Sequence, residues 1–140
     1  MTIMRTTILG LESSCDDSAA ALVTGDRQIL AQAVVGQNAA HQPFGGVVPE
    51  IAARAHVEIL PDLIRRVLDE AGLSIGDVDA VAATAGPGLI GGVMVALLAG
   101  KGLALAAGKP LIVPKIRDSA PGARAVAAHT AANADRKSVV

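Results

Sequence analysis

Aromatic rings are almost missing: Phe44 is the only one in 140 residues, with neither Trp nor Tyr. The chain alone therefore offers no platform for stacking nucleobases, the usual grip of an autonomous single-strand binder. Charge of one sign is scarce too. Twelve Lys and Arg stand against thirteen Asp and Glu, and no long basic run gathers them, so the electrostatic footprint of an independent nucleic-acid binder is lacking. Any RNA contact then needs more chain or a partner. A single cysteine, Cys15, cannot close an internal disulfide, and the N-terminus opens on a strand-like run in place of a signal peptide. A cytoplasmic protein is the expectation.

What the chain does have is apolar aliphatic material, 51% hydrophobic against 18% charged residues. That is ample for one small packed domain whose interior must be built from Val, Ile, Leu and Ala. The most membrane-like stretch runs from Leu89 to Val113. Lys101 near its middle would cost about 3 kcal/mol in a bilayer, and the uninterrupted part is too short to span one. It reads as a buried helix followed by a strand, with no membrane partner.

Along the chain, Thr6 to Glu12 is β-prone, Ser13 to Asp17 is polar and turn-like, and Ser18 to Thr24 is apolar again, which makes a hairpin with an acidic tip. Gly25-Asp26 supplies the next turn, and Gln28 to Val35 alternates as a third antiparallel strand. From Val48 to Ala71 apolar residues recur at helical period. The opposite face carries Glu50, Arg54, Glu58, Asp62, Arg66 and Glu70 at four-residue steps, each opposite-charge pair contributing a few tenths of a kcal/mol. Pro61 should kink this helix and need not end it, and Gly72 should stop it. Asp79 to Ala85 reads as a strand, Leu89 to Ala107 as a helix and Leu111 to Val113 as a strand. The order β-β-β-α-β-α-β predicts a mixed sheet covered by helices.

Three features carry chemistry. The acidic tip, with Glu12, Asp16 and Asp17 beside hydroxyls, could hold a metal or orient a phosphate-bearing ligand; read blind, it is first a solvated turn. Cys15 has no accompanying His pattern and reads as a lone thiol more readily than as a nucleophile. Gly86-Pro87-Gly88-Leu89-Ile90-Gly91 is a literal G-x-G-x-x-G between a strand and a helix. Its amides could face an anion, or Gly91, Gly92 and Gly100 could let the helix pack closely on the sheet; both readings stand. A dinucleotide reading is weak, because the fingerprint does not follow the first strand and no acid ends the strand after the helix. His41, His56 and His129 lack metal-ligand spacing and read as surface or capping residues.

Taken together, these stretches resemble the tRNA threonylcarbamoyltransferase family, TsaD, once described as an O-sialoglycoprotein endopeptidase or glycoprotease. Ile8-Leu9-Gly10-Leu11-Glu12-Ser13-Ser14-Cys15-Asp16-Asp17 looks like the family's G-I-E-[ST]-S-C-D-[DE]. Phe44-Gly45-Gly46-Val47-Val48-Pro49-Glu50, continuing to Ala53-Arg54-Ala55-His56, is similar to G-G-V-V-P-E-x-A-x-R-x-H. Thr84-Ala85-Gly86-Pro87-Gly88-Leu89-Ile90-Gly91-Gly92 looks like T-x-G-P-G-L-x-G, and Gly108-Lys109-Pro110-Leu111-Ile112 resembles the start of the next strand. The resemblance runs from Ile8 to Ile112.

It implies an actin/Hsp70-like (ribonuclease-H-like) lobe over residues 1–113 and transfer of threonylcarbamoyl from its adenylate to N6 of the adenosine beside the anticodon in tRNAs reading ANN codons. It also implies a bound iron or zinc, a non-catalytic paralogue, TsaB, and an ATPase, TsaE. Glu12, Asp16 and Asp17 become the catalytic candidates; Ser13, Gly86 and Gly88 become the cofactor-binding candidates. The helix beginning near Pro49 becomes a candidate surface for the paralogue, its apolar stripe being equally readable as core. The chain departs from the pattern after Ile112. Where the family has H-x-E-G-H, it reads Val113-Pro114-Lys115-Ile116-Arg117-Asp118-Ser119 without either histidine, so no metal ligand is assigned here and this chain is expected to be inactive alone. Residues 114–140 are expected to be a disordered or artefactual tail, its Asp135 to Val140 resembling translated sequencing adaptor. A TsaB-like partner module is the alternative. A ribonuclease-H-like nuclease is disfavoured by the lack of well-placed acids on the fourth strand.

Overall fold

The computed structural model describes residues 6–14, 16–86 and 88–113. The expectations for Cys15, for His129 and for the tail from residue 114 fall outside them. Five strands form one sheet: β1 Thr7–Glu12, β2 Asp17–Thr24, β3 Ile29–Gly36, β4 Ala80–Ala83 and β5 Leu111–Ile112, in the spatial order β3-β2-β1-β4-β5. The first three are an antiparallel meander, and β1, β4 and β5 run parallel. Between them lie a short helix α1 (Asn38–His41), a long helix α2 (Pro49–Ala71) and α3 (Ile90–Ala107). The predicted order holds. Two single 3₁₀ turns, Gln42–Phe44 and Ile75–Asp77, and α1 itself add to it; they are too short to leave a periodic signature.

Alternation along the strands decides which residue meets which layer. Leu9 and Leu11 of β1, Ala20 and Leu22 of β2, Ala31 and Ala33 of β3, and Val81 and Ala83 of β4 join Leu60, Leu63, Ile64 and Val67 of α2 and Ala96 and Ala104 of α3 in the main core. The intervening residues Ile8, Ala80 and Ala82 form a separate buried cluster with Ile112 on the opposite face. Both long helices therefore cover one face.

α2 continues through Pro61, as expected, because that residue sits on the exposed side where water can satisfy the carbonyl it leaves unpaired. Gly72 ends it at φ 67°, with Leu73 N–H donating to Leu68 O. On its outer face Arg54–Glu50, Arg65–Asp62 and Arg66–Glu70 pair at 2.7–2.9 Å, each exposed and worth a few tenths of a kcal/mol.

α3 is the expected buried helix on one side only. Its buried side is Gly92, Val93, Ala96, Gly100 and Ala104, while Leu98 is 55% and Leu105 86% exposed. Small residues face the sheet because the helix lies too close for larger ones: a Cβ on Gly100 would stand 3.0 Å from the Ala83 Cβ. By length and composition alone α3 could cross a membrane. Here it packs on β1, β4 and α2.

Candidate functional site

The chain runs outward from β1 through β2 to β3 on one side, then returns through α2 to β4 on the other side of β1. The carboxyl ends of the parallel neighbours β1 and β4 sit at that divide, where open α/β sheets place their ligands. The register pairs Leu11 with Ala83, so the next residues, Glu12 and Thr84, lie side by side. The Thr84 hydroxyl donates to Glu12 Oε2 at 2.8 Å, and the Ser14 amide donates to Glu12 Oε1. Glu12 is 7% exposed. The blind reading of the acidic tip as a solvated turn therefore fails at Glu12, because two donors compensate burial of its carboxylate.

The same alternation separates carboxylates from hydroxyls. Glu12 and Asp17 fall on the face away from the helices, whereas Ser13 and Ser18 fall on the helix face. Ser13 is fully buried: its hydroxyl donates to Gly92 O at 2.6 Å and accepts from Ala96 N–H at 2.9 Å. Asp16 and Asp17 are half-buried. Burial pushes the Asp17 carboxyl above its ordinary 3.8 and the neighbouring Asp16 pushes it the same way; His56 opposes them, and Glu12 adds the smallest upward push. The folded state therefore holds the Asp17 proton more tightly than the unfolded chain does. The stability this contributes is complete below pH 3.8 and is lost as pH rises through the folded value. Asp17→Asn is accordingly expected to stabilise the chain at pH 7, with the gain shrinking towards pH 4; urea melts at both values check this, and an equal effect at both would contradict it.

Residues on either side of position 87 approach the turn after β1. Gly86 adopts φ 134°, reserved in practice for glycine, with open space beside it. Gly88 has the reverse constraint: a Cβ there would lie 2.4 Å from Ser14 O. The Leu89 amide donates to that same carbonyl at 2.9 Å. Of the glycines read as close-packing, Gly92, where a Cβ would be 2.6 Å from Ser13 O, and Gly100 are so, whereas Gly91 is exposed and its Cβ would meet only the Ala53 Cβ of α2, at 3.4 Å; Gly88 joins the first two.

Behind the hydroxyls lies a polar chain that sequence reasoning missed. His41 Nδ1 accepts the Val48 amide at 3.1 Å, which leaves its proton on Nε2, 2.8 Å from Gln37 Oε1. That orients Gln37 Nε2 to donate to Ala52 O and to His56 Nδ1, each at 3.3 Å. The Ser18 hydroxyl donates to the same His56 nitrogen at 2.7 Å. His56 is fully buried and His41 only 5% exposed. They correct the surface reading: both are inside, and His41 holds the amide of Val48, the residue that precedes α2. The signals for His56 were its place on the apolar stripe of α2 and at the end of the G-G-V-V-P-E-x-A-x-R-x-H stretch; Thr84 was marked only as the first residue of the T-x-G-P-G-L-x-G stretch, and nothing in the sequence marked Gln37.

These residues do not fit an iron or zinc ion. No three His, Cys, Asp or Glu converge among the described residues, and the Nδ1 atoms of both described histidines already accept hydrogen bonds. No chemical step is therefore routed through a metal here.

Residues 28–114 match the family model for tRNA N6-adenosine threonylcarbamoyltransferase. The enzyme of that name from Sphingopyxis alaskensis is 70% identical over 107 residues, which are 76% of this chain and 31% of the relative. That from Erythrobacter litoralis is 65% identical over 105 residues, 75% of this chain and 30% of the relative. The chain thus spans about a third of the length of the curated relatives it matches. Among solved structures, YeaZ from Pseudomonas aeruginosa superimposes with a TM-score of 0.58 at 29% identity, over 79% of this chain and 44% of that one. The five-stranded mixed sheet with its helices is the ribonuclease-H-like, actin-like lobe that the motifs implied.

Proposed function

Because the chain belongs to the tRNA N6-adenosine threonylcarbamoyltransferase family, TsaD, we propose that it forms the first lobe of an enzyme moving threonylcarbamoyl from its adenylate to N6 of the adenosine beside the anticodon, in tRNAs reading ANN codons, in the cytoplasm. The observation that carries this reading is the end of β1. A buried Glu12, fixed by Thr84 and the Ser14 amide, sits at the divide of the sheet next to the half-buried pair Asp16 and Asp17. A fixed carboxylate at that position can orient a cationic or hydrogen-bond-donating group, and Asp17, whose affinity for a proton is raised above that of an ordinary aspartate, is a candidate proton acceptor beside it. Gly86 and Gly88 shape a nearby loop. The iron or zinc of the family and the adenylate pocket would be completed by residues outside the described lobe, and the chain alone would be inactive.

A partner surface accompanies the site. Between α2 and α3 lies an apolar groove of about 340 Å³, lined among others by Val57, Leu60 and Pro61 and by Met94 and Leu98. Exposed apolar surface of this kind marks an interaction face, and it suits the TsaB-like paralogue, with a TsaE-like ATPase as the further partner. The likeness to YeaZ favours, as a second reading, a non-catalytic module of TsaB type. A nuclease is not favoured: β4 is Ala-Val-Ala-Ala and carries no acid.

Replacing the matching N-terminal segment of the Sphingopyxis alaskensis enzyme by residues 1–112 of this chain separates the readings. The chimera is expected to form threonylcarbamoyladenosine in tRNA, detected by mass spectrometry, and to lose that product with Glu12→Gln, while the 140-residue chain alone forms none. A folded chimera without product would turn the assignment towards the partner module.

A further inference from the structure

An α-helix joins each N–H to the carbonyl four residues back, and in α3 that rule pairs Ala96 with Gly92. The Ser13 hydroxyl touches both members of this pair, donating to Gly92 O at 2.6 Å and accepting from Ala96 N–H at 2.9 Å. A hydroxyl from another element thus enters the ladder of a helix, the role an inserted water takes at helix bends. The approach is possible only because residue 92 is glycine, whose missing Cβ leaves room for Ser13 O. Ser13 is fully buried, and its hydroxyl spends its donor and accepts a bond in these two contacts. It has no donor left to offer a ligand.

We propose that Ser13 is a positioning residue: by completing the α3 ladder its hydroxyl pins the turn that follows Glu12, and through the Ser14 carbonyl the loop that begins α3. The proposal rests on the reading of the β1 end as the site and replaces the cofactor-binding role expected for Ser13. Its physical content is an asymmetry. When the hydroxyl is removed, Ala96 N–H and Gly92 O close on each other as in any helix, so no buried group is orphaned. The turn has no such substitute. Ser14 remains attached to Leu89 N–H at 2.9 Å but loses the tether one residue before it.

Amide hydrogen exchange on the 140-residue chain, read by NMR, tests this without recourse to activity, so its outcome is separate from that of the transferase assignment. In Ser13→Ala the Leu89 amide is expected to exchange at least tenfold faster, while the Ala96 amide stays within about twofold of the native chain and the unfolding midpoint is nearly unchanged. Ser13→Thr, which keeps the hydroxyl, is expected to restore native exchange at Leu89. Equal acceleration at both amides, no acceleration at either, failure of Ser13→Ala to fold, or a Leu89 amide that stays fast with threonine would each overturn the proposal.

Discussion

Gly92→Ala is expected to destabilise the chain by roughly 2–3 kcal/mol, a fall of about 10–20 °C in Tm for a domain of this size. The added Cβ would stand 2.6 Å from the Ser13 carbonyl oxygen and 3.5 Å from the His56 ring. The first contact is with backbone, which cannot swing aside as a flexible side chain would, so the end of β1 or the first turns of α3 must shift. Gly102 in the same helix is the control. It is exposed, and nothing lies within 4 Å of a Cβ built there. Gly102→Ala should therefore show only the helix-propensity gain, about 0.5–1 kcal/mol of added stability. Both substitutions receive that gain, so the difference between them isolates the contact. Denaturant melts of the two variants decide the matter, and similar midpoints would mean that α3 does not sit against Ser13 as described.

His56→Ala should cost about 3–4 kcal/mol. The imidazole is fully buried in the angle between α2, β2 and α3, so its loss leaves a cavity and deprives Ser18 and Gln37 of a shared acceptor. Ser18→Ala removes only the hydroxyl, and Gln37 still donates to His56, so about 1 kcal/mol is expected. Chemical denaturation monitored by circular dichroism measures both. If His56→Ala lay within 1 kcal/mol of the native chain, the polar chain from Val48 to Ser18 could not be the support on which α2 rests. Through Ser18 the same chain secures the start of β2, where Asp17 sits, so the domain's stability and the site's geometry share residues.

Much of this was legible in residue order because it depends on local spacing. Period-2 and period-3.6 patterns place the five strands and α2 and α3 to within a residue or two, and Gly72 announces the end of α2 because a left-handed residue is needed there. The hairpin, the acidic tip and the glycine run are contiguous motifs and read as such. Other features were hidden for an equally definite reason. Glu12 reads as exposed because its compensating donor, Thr84, is 72 residues away and is brought to it only by the register of β1 against β4. Ser13 reads as one more turn hydroxyl, since its partners Gly92 and Ala96 belong to a helix about 80 residues later. α3 reads as a buried helix because its composition does not say how much of it stays uncovered; its glycines suggested a sheet-facing side as one of two readings, and only the β-sheet beneath Gly92 and Gly100 decides it.

The amino-acid sequence by itself determined the element order, the family and the set of carboxylates at the end of β1, since these follow from short-range pattern and contiguous motif. Only the tertiary structure decided which of those polar groups face the site and which hold the fold. Strand alternation sends Glu12 and Asp17 to one face and Ser13 and Ser18 to the other, but whether a face is site or core depends on which one α2 and α3 cover, and that is settled by packing between segments far apart in the chain.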